Sequence, residues 1–219
     1  MSAFPPGTTW FDTIKRSFDN VPVDVANDNA ISTTEFLEAA EALTTLFNLL
    51  GSKAFTPVTS DLLNNIKKVR DRQLAAPAES ETLQALVLNE LKSGKHVATE
   101  GLVWLIRGNR FIWLTDVINL TSGLDFTAQS LRHNLDNQQS ELANSFRDAY
   151  GNTLKPHHSF VIKPIFSAAM SATPYRKDFY AKLGDDSVKV HEGLEREVKA
   201  LEEKVVILKQ FLARKEAQW

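Results

Sequence analysis

The stretch STTEFLEAAEALTTLFNLLG (32–51) decides the fold class. Phe36, Leu37, Ala40, Leu43, Phe47 and Leu50 recur at spacings of three and four, which lines one face of an α-helix. Ser32 or Thr33 can cap its start and Gly51 can end it. The same periodicity continues outward in both directions. It predicts a short helix over 8–18, with Trp10, Phe11, Ile14 and Phe18 apolar. It predicts a third over 61–75, capped by Ser60 and broken before Pro77, and a fourth over 81–92, starting after Ser80. A fifth, over 97–121, is apolar on most sides. A sixth over 127–149 turns Leu131, Leu135, Leu142 and Phe146 inward, and a seventh spans 157–172. After Pro174 a short turn of helix follows at 175–183. The last helix, 187–214, has Leu194, Leu201 and Leu208 in heptad register. Fewer than four heptads and a mixed stripe favour packing onto its own domain over a coiled coil.

No stretch alternates with period two, and VPVDV (21–25) is too short to form a consequential strand. The reading is therefore all-α: a single domain, residues 1–219, of about eight helices. A hydrophobic share of 43% supports a real core. A formal charge of −2 offers no broad basic field for nucleic acid. Cysteine is absent, so disulfides, thiolate nucleophiles and cysteine metal sites are excluded. No run of apolar residues is long enough to span a bilayer, and MSAFPPGTTWF lacks the basic-then-apolar order of a secretory signal. A cytoplasmic protein is the expectation.

Function is written most plainly in FTPVTSDLLNNIKK (55–68). Asp61, Asn65 and Lys68 stand at i, i+4 and i+7, on one helical stripe. The stripe carries an acceptor, a two-way amide and a cationic donor, a set that can grip a polyol. Trp104, inside GLVWLIRGNRFIWL (101–114), can add a flat indole. Together they suit a sugar and not a reaction centre. Each has a plainer reading. Asp61 in a first turn would complement the helix dipole, and Lys68 alone is usually solvated. Asn65 sits beside Asn64 as if exposed, and Trp104 has apolar neighbours as if in the core. His158, in KPHHSFVIKPIF (155–166), reads as a histidine at a helix start. The acids of the last helix, Glu195, Glu197, Glu202 and Glu203, interleave with Lys199 and Lys204 like a solvated face. No HExxH, CxxC, GxSxG, P-loop or dinucleotide fingerprint is present, and the histidines have no ligand spacing. No enzyme, cofactor or metal is expected.

FTPVTSDLLNNIKK, EGLVWLIRGNRFI and HSFVIKPIFSAAMSATPYRKDF, in this order, resemble the glycolipid transfer protein family, most closely its fungal members. The resemblance runs from about residue 30 to 185. It implies two helical layers enclosing an apolar lipid tunnel, and nonvesicular transfer of glycosphingolipids between membranes. Asp61, Asn65, Lys68, Trp104 and His158 match the family's headgroup centre. The resemblance implies that Trp104 stacks on the first sugar and that Asn65 and Lys68 bond its hydroxyls. It implies that Asp61 accepts from a hydroxyl and from the ceramide amide N–H, and that His158 donates to the amide carbonyl. Phe36, Leu37, Leu43, Phe47, Phe111, Ile112, Val161, Ile162, Ile165 and Phe166 are then candidates to line the tunnel. Phe160 stands where some members carry a tryptophan and is the candidate for transient membrane docking, with Trp113 and Tyr175 as further aromatics and Lys163, Arg176 and Lys177 as a basic rim. Trp219 closes the chain where other members end in a tyrosine-bearing tail. A sister branch that binds ceramide-1-phosphate places lysine where Asn65 stands, so a neutral sugar is the expected headgroup. A sensor or adaptor for the same lipid is the competing reading.

Overall fold

The computed structural model describes residues 4–51, 53–106 and 123–218, leaving aside the side chains of Trp104, Ile106, His157 and Ile162. Among the described residues there are nine α-helices: α1 Thr33–Leu49, α2 Thr56–Ala75, α3 Leu83–Lys92, α4 Val97–Ile106, α5 Gly123–Asp136, α6 Leu142–Asn152, α7 Ile162–Ser171, α8 Arg176–Leu183 and α9 Ser187–Leu212. The all-α expectation holds. One set of helices packs α2 against α1 and α4, with α3 on α4. A second packs α5 against α6 and α9, with α7 on α6 and α8 on α9. Contacts of α4 with α5 and α9 join the two. Phe36, Leu37, Leu62, Leu86, Phe126 and Leu201 are among the side chains buried between them.

Several boundaries differ from the periodicity, each for a local reason. α2 begins at Thr56 because Pro57 is pre-set for a first turn, where its missing N–H costs nothing. Ser60 is therefore inside the helix and caps nothing. α3 is capped by Thr82, whose hydroxyl accepts from Ala85 N, and not by Ser80. The helix expected over 127–149 is two. Asn134 and Asn137 bond nearby carbonyls, Nδ2 of Asn134 forward to Ser140 O and Nδ2 of Asn137 back to His133 O, which turns the chain between α5 and α6 without glycine or proline. In place of the helix expected over 8–18 there are two 3₁₀ turns, Trp10–Asp12 and Phe18–Asn20, closed by the side chains of Asp12 and Ser17 on backbone N–H groups. VPVDV contributes a small hairpin, β1 Val23–Asp24 paired with β2 Ala30–Ile31, whose turn places Asp28 and Asn29 at φ 54°. Beyond Ile106 the helix expected to reach 121 lies outside the described residues.

α9 packs on its own chain, with Leu194, Val198, Leu201, Val205, Leu208 and Leu212 buried. Two of its expected solvated charges are buried as well: Glu197 is 2% exposed and Lys204 6%. Glu197 accepts from Ser17 Oγ and from Phe18 N at 3.1 Å, so it caps the second 3₁₀ turn. The early segment is clasped to the first half of the helix and to the residues just before it. Gly7 N donates to Asp185 Oδ1 at 3.2 Å, and Lys189 Nζ donates to Gly7 O at 3.1 Å. Thr9 pairs with Gly184, and Gly193 lies so close to the Phe11 ring that a Cβ there would stand 2.5 Å from Cδ2.

Candidate functional site

The α2 stripe is built as the spacing implies. Asp61 is the sixth residue of α2, beyond the first turn, so its place is not explained by the helix dipole. Asn65 is buried at 4% exposure, contrary to the exposed reading, while Asp61 and Lys68 are half-buried. Asn65 Nδ2 donates to Asp61 O at 3.0 Å and to Asp61 Oδ2 at 3.2 Å. Those donors are thereby committed, and Oδ1 is what Asn65 has to offer a hydroxyl. Lys68 Nζ lies 4.0 Å from Glu100 Oε2 on α4, a loose and partly exposed pair worth under about 1 kcal/mol.

α4 lies against this stripe at a glycine. A Cβ on Gly101 would stand 3.0 Å from the Asn65 carbonyl oxygen and 3.0 Å from Lys68 Cβ. Trp104 follows one turn later on the same helix; its side chain lies outside the description. The start of α4 is fixed by Glu90 of α3, buried at 3% exposure. Glu90 Oε1 accepts from Ala98 N at 2.9 Å, and Oε2 accepts from Thr99 N at 2.6 Å and Thr99 Oγ1 at 2.7 Å. A carboxylate there meets both the free N–H groups and the positive end of the helix. Sequence reasoning missed Glu90, because a capping box spans three residues and this acid stands eight residues upstream. Gly123, which opens α5, meets Leu62 beside Asp61: a Cβ there would lie 2.3 Å from Leu62 Cδ2.

His158 precedes α7 instead of starting it. It follows the 3₁₀ turn Lys155–His157 in an extended conformation and is 5% exposed. Its Nδ1 faces the Tyr150 hydroxyl of α6 at 3.0 Å. Phe166 packs on both rings, parallel to Tyr150 at 5.3 Å between centroids and tilted on His158 at 4.5 Å. Burial pushes the Tyr150 phenol up to about 12. No sequence signal singled out Tyr150. Contacts of α7 with the turn Lys53–Phe55, and of Phe146 with Phe55 at 5.9 Å, set the His158 region beside the start of α2.

Of the residues expected to line a tunnel, Phe36, Leu37, Leu43, Phe47 and Phe166 are buried. Phe111, Ile112 and the Ile162 side chain lie outside the described residues, as do Trp113 and Trp219. Val161 and Ile165 are exposed at 56% and 45%, so neither lines an interior. The reason is the face of α7: Phe166, Ala169 and Met170 turn inward, which sends Val161 and Ile165 outward with Phe160, itself 85% exposed. Tyr175 is also exposed. Arg176 is not a free rim charge. Its Nε donates to Asn134 Oδ1 at 3.1 Å and its guanidinium lies 4.1 Å over the Tyr180 ring. Inside, a cavity of about 10 Å³ is lined by Leu46, Phe47, Leu50, Thr127, Leu131, Phe146 and Phe179. That is room for at most one water, so a hydrocarbon chain entering here must part these side chains. No group of three or more metal-ligating side chains gathers among the described residues, and no helix among them is long and apolar enough to cross a membrane.

The model of one protein family, described as Glycolipid transfer protein (GLTP), matches residues 31–116 and 113–185. A glycolipid transfer protein of Aureobasidium melanogenum is 62% identical over 219 residues, the whole of both chains. The crystal structure of HET-C2, a fungal glycolipid transfer protein, is 56% identical and matches with a TM-score of 0.87 over 96% of this chain and 100% of that one. A GLTP-fold structure of FAPP2, which selects simple glycosphingolipids, is 30% identical, with a TM-score of 0.78 over 93% and 94%.

Proposed function

Because the chain belongs to the glycolipid transfer protein family, we propose that it binds a glycosphingolipid, a ceramide bearing one or a few sugars, and carries it between membranes without chemistry. The observation that carries this reading is the α2 stripe, in which Asp61 and Asn65 are bonded to each other and Lys68 stands one turn on, beneath an α4 seated at Gly101. In this reading Asn65 Oδ1 and Lys68 Nζ bond sugar hydroxyls and the Trp104 indole stacks on the sugar face. The second lone pairs of Asp61 take a hydroxyl and the amide N–H, and His158 donates to the amide carbonyl. Each polar group of a buried lipid then has a partner, where an unpaired one would cost about 1–3 kcal/mol. Asn65 adds no charge where a phosphate would call for a cation, which disfavours ceramide-1-phosphate.

The hydrocarbon chains enter among Phe47, Phe146 and their neighbours, and residues 1–219 act as one lipid-carrying domain. The protein works from the cytoplasm and touches membranes transiently through Phe160, Val161 and Ile165, an apolar patch suited to the lipid interface. Native mass spectrometry after exposure to mixed vesicles names the retained lipid. Rapid transfer of glucosylceramide between vesicles supports a carrier. Retention of the lipid in a stable complex without transfer supports a sensor. Faster transfer of ceramide-1-phosphate than of glucosyl- or galactosylceramide overturns the sugar assignment.

A further inference from the structure

The Tyr150–His158 pair joins two buried rings whose bonding decides which imidazole nitrogen carries the proton. We propose that Tyr150 is a positioning residue of the lipid site: by donating to Nδ1 it holds the His158 proton on Nε2, makes His158 a hydrogen-bond donor to the ligand, and so gives the site its demand for an N-acylated lipid. This rests on the glycolipid reading of the site.

A neutral imidazole has one N–H and one lone pair, and the partner of one nitrogen sets the role of the other. A phenol is a better donor than acceptor in a buried pair, because its proton needs an acceptor. Among the described residues the Tyr150 hydroxyl has His158 as its hydrogen-bond partner. Were Nδ1 the donor, that buried phenolic proton would lack one. The phenol, shifted upward by burial, stays protonated through neutral and mildly alkaline pH, so the donor persists. The packing supplies direction. Phe166 lies parallel to Tyr150 at an interplanar angle of 11° and against the His158 ring, so neither ring can turn without displacing it.

The consequence is selective. An N–H at Nε2 bonds an acyl-amide carbonyl. The opposite tautomer would set a lone pair against the carbonyl oxygen. A deacylated lipid such as glucosylsphingosine carries an ammonium and no carbonyl, and gains nothing from that N–H. The pair therefore distinguishes the two lipids at the amide, apart from the sugar.

The test begins on the lipid-free protein. Long-range proton–nitrogen correlation spectra of ¹⁵N-histidine-labelled protein, with His158 assigned by loss of its signals in His158→Gln, are expected to show pyrrole-type Nε2 and pyridine-type Nδ1. Pyrrole-type Nδ1 in the wild type overturns the proposal, whatever the behaviour of Tyr150→Phe. In Tyr150→Phe the tautomer is expected to become mixed or inverted. The preference for glucosylceramide over glucosylsphingosine, measured by binding to vesicles containing each, is expected to fall about tenfold, the equivalent of one hydrogen bond. An unchanged tautomer with unchanged preference overturns the proposal. Wild-type protein that binds neither glycolipid overturns the glycolipid reading instead, and the spectra of the lipid-free protein tell the two failures apart.

Discussion

Gly101 is seated on Asn65: a Cβ on the glycine would lie 3.0 Å from the Asn65 carbonyl oxygen, a backbone atom that cannot swing aside. The spacing between α4 and the α2 stripe is thus set by the absence of a side chain. Gly101→Ala is expected to push α4 outward by a few tenths of an ångström, at a cost of about 1–3 kcal/mol from overpacking. Glycolipid transfer should fall at least tenfold while far-ultraviolet circular dichroism keeps its helical content. Normal transfer by a folded Gly101→Ala protein would show that the interhelical spacing does not shape the site.

Removing the acceptor or adding a cation on the α2 stripe should separate binding from folding. Asp61→Val is expected to abolish glycolipid uptake, because Asn65 Nδ2 also loses one of its two acceptors. The backbone carbonyl at position 61 still accepts from Asn65 Nδ2, and the helix keeps its own backbone bonds. Asn65→Lys should weaken neutral glycolipid uptake without by itself creating phosphate binding. Trp104→Ala should abolish transfer. Lipid retention by native mass spectrometry, read beside thermal unfolding, checks all three. Full retention in Asp61→Val would remove that carboxylate from the site.

Docking should depend on apolar contact more than on charge. Phe160, Val161 and Ile165 form the exposed face at the start of α7, and the net charge is −2. With Arg176 held by Asn134 and Tyr180, only Lys163 and Lys177 of the expected basic rim stand exposed. Partitioning onto phosphatidylcholine vesicles is expected to survive high salt in the wild type and to drop severalfold in Phe160→Ala. Binding that disappears with salt and ignores Phe160 would assign the docking to charge.

Glu197 makes stability depend on pH. Burial raises its carboxyl pKa above the ordinary value of 4.5, against the lowering effects of the Ser17 and Phe18 hydrogen bonds and of Lys204; Asp19 adds a further rise. The folded state therefore holds its proton more tightly than the unfolded chain. Stability from this group is present below about pH 4.5 and is lost as pH rises through the raised folded value. Asp12, Asp28 and Glu38 are lowered and titrate in the opposite sense, so the measurement is a difference. Glu197→Gln keeps an acceptor for Phe18 N and should gain on the wild type in urea midpoint between pH 4 and pH 7. A gap that stays flat, or that moves in favour of the wild type as pH rises from 4 to 7, would contradict this.

How much of this could be read beforehand depended on sequence distance. α1, α2 and α9 were legible because their apolar spacing is long and regular. Asp61, Asn65 and Lys68 were legible because one helix carries all three. Glu90 and Tyr150 were not, since each acts on a partner eight or nine residues away across a turn, where no periodicity links them. The break between α5 and α6 escaped because side-chain amides and not glycine or proline make it. Val161 and Ile165 show a different limit: spacing tells which residues share a face, but the neighbours decide which face turns inward. The same holds for Glu197, whose charge pattern looked solvated until the segment 17–18 was laid over it.

The clasp between residues 7–18 and residues 185–197, just before α9 and in its first half, joins groups 178 to 182 positions apart. During synthesis the early segment leaves the ribosome long before its partners exist. At about 5–20 residues per second the wait is roughly ten to forty seconds. Trp10, Phe11 and Phe18 have to be kept from other surfaces throughout that interval. Closure of the clasp is then a late event with a high loop-closure cost, and a stalled or shortened chain lacking α9 would leave three aromatic side chains available to chaperones and to aggregation.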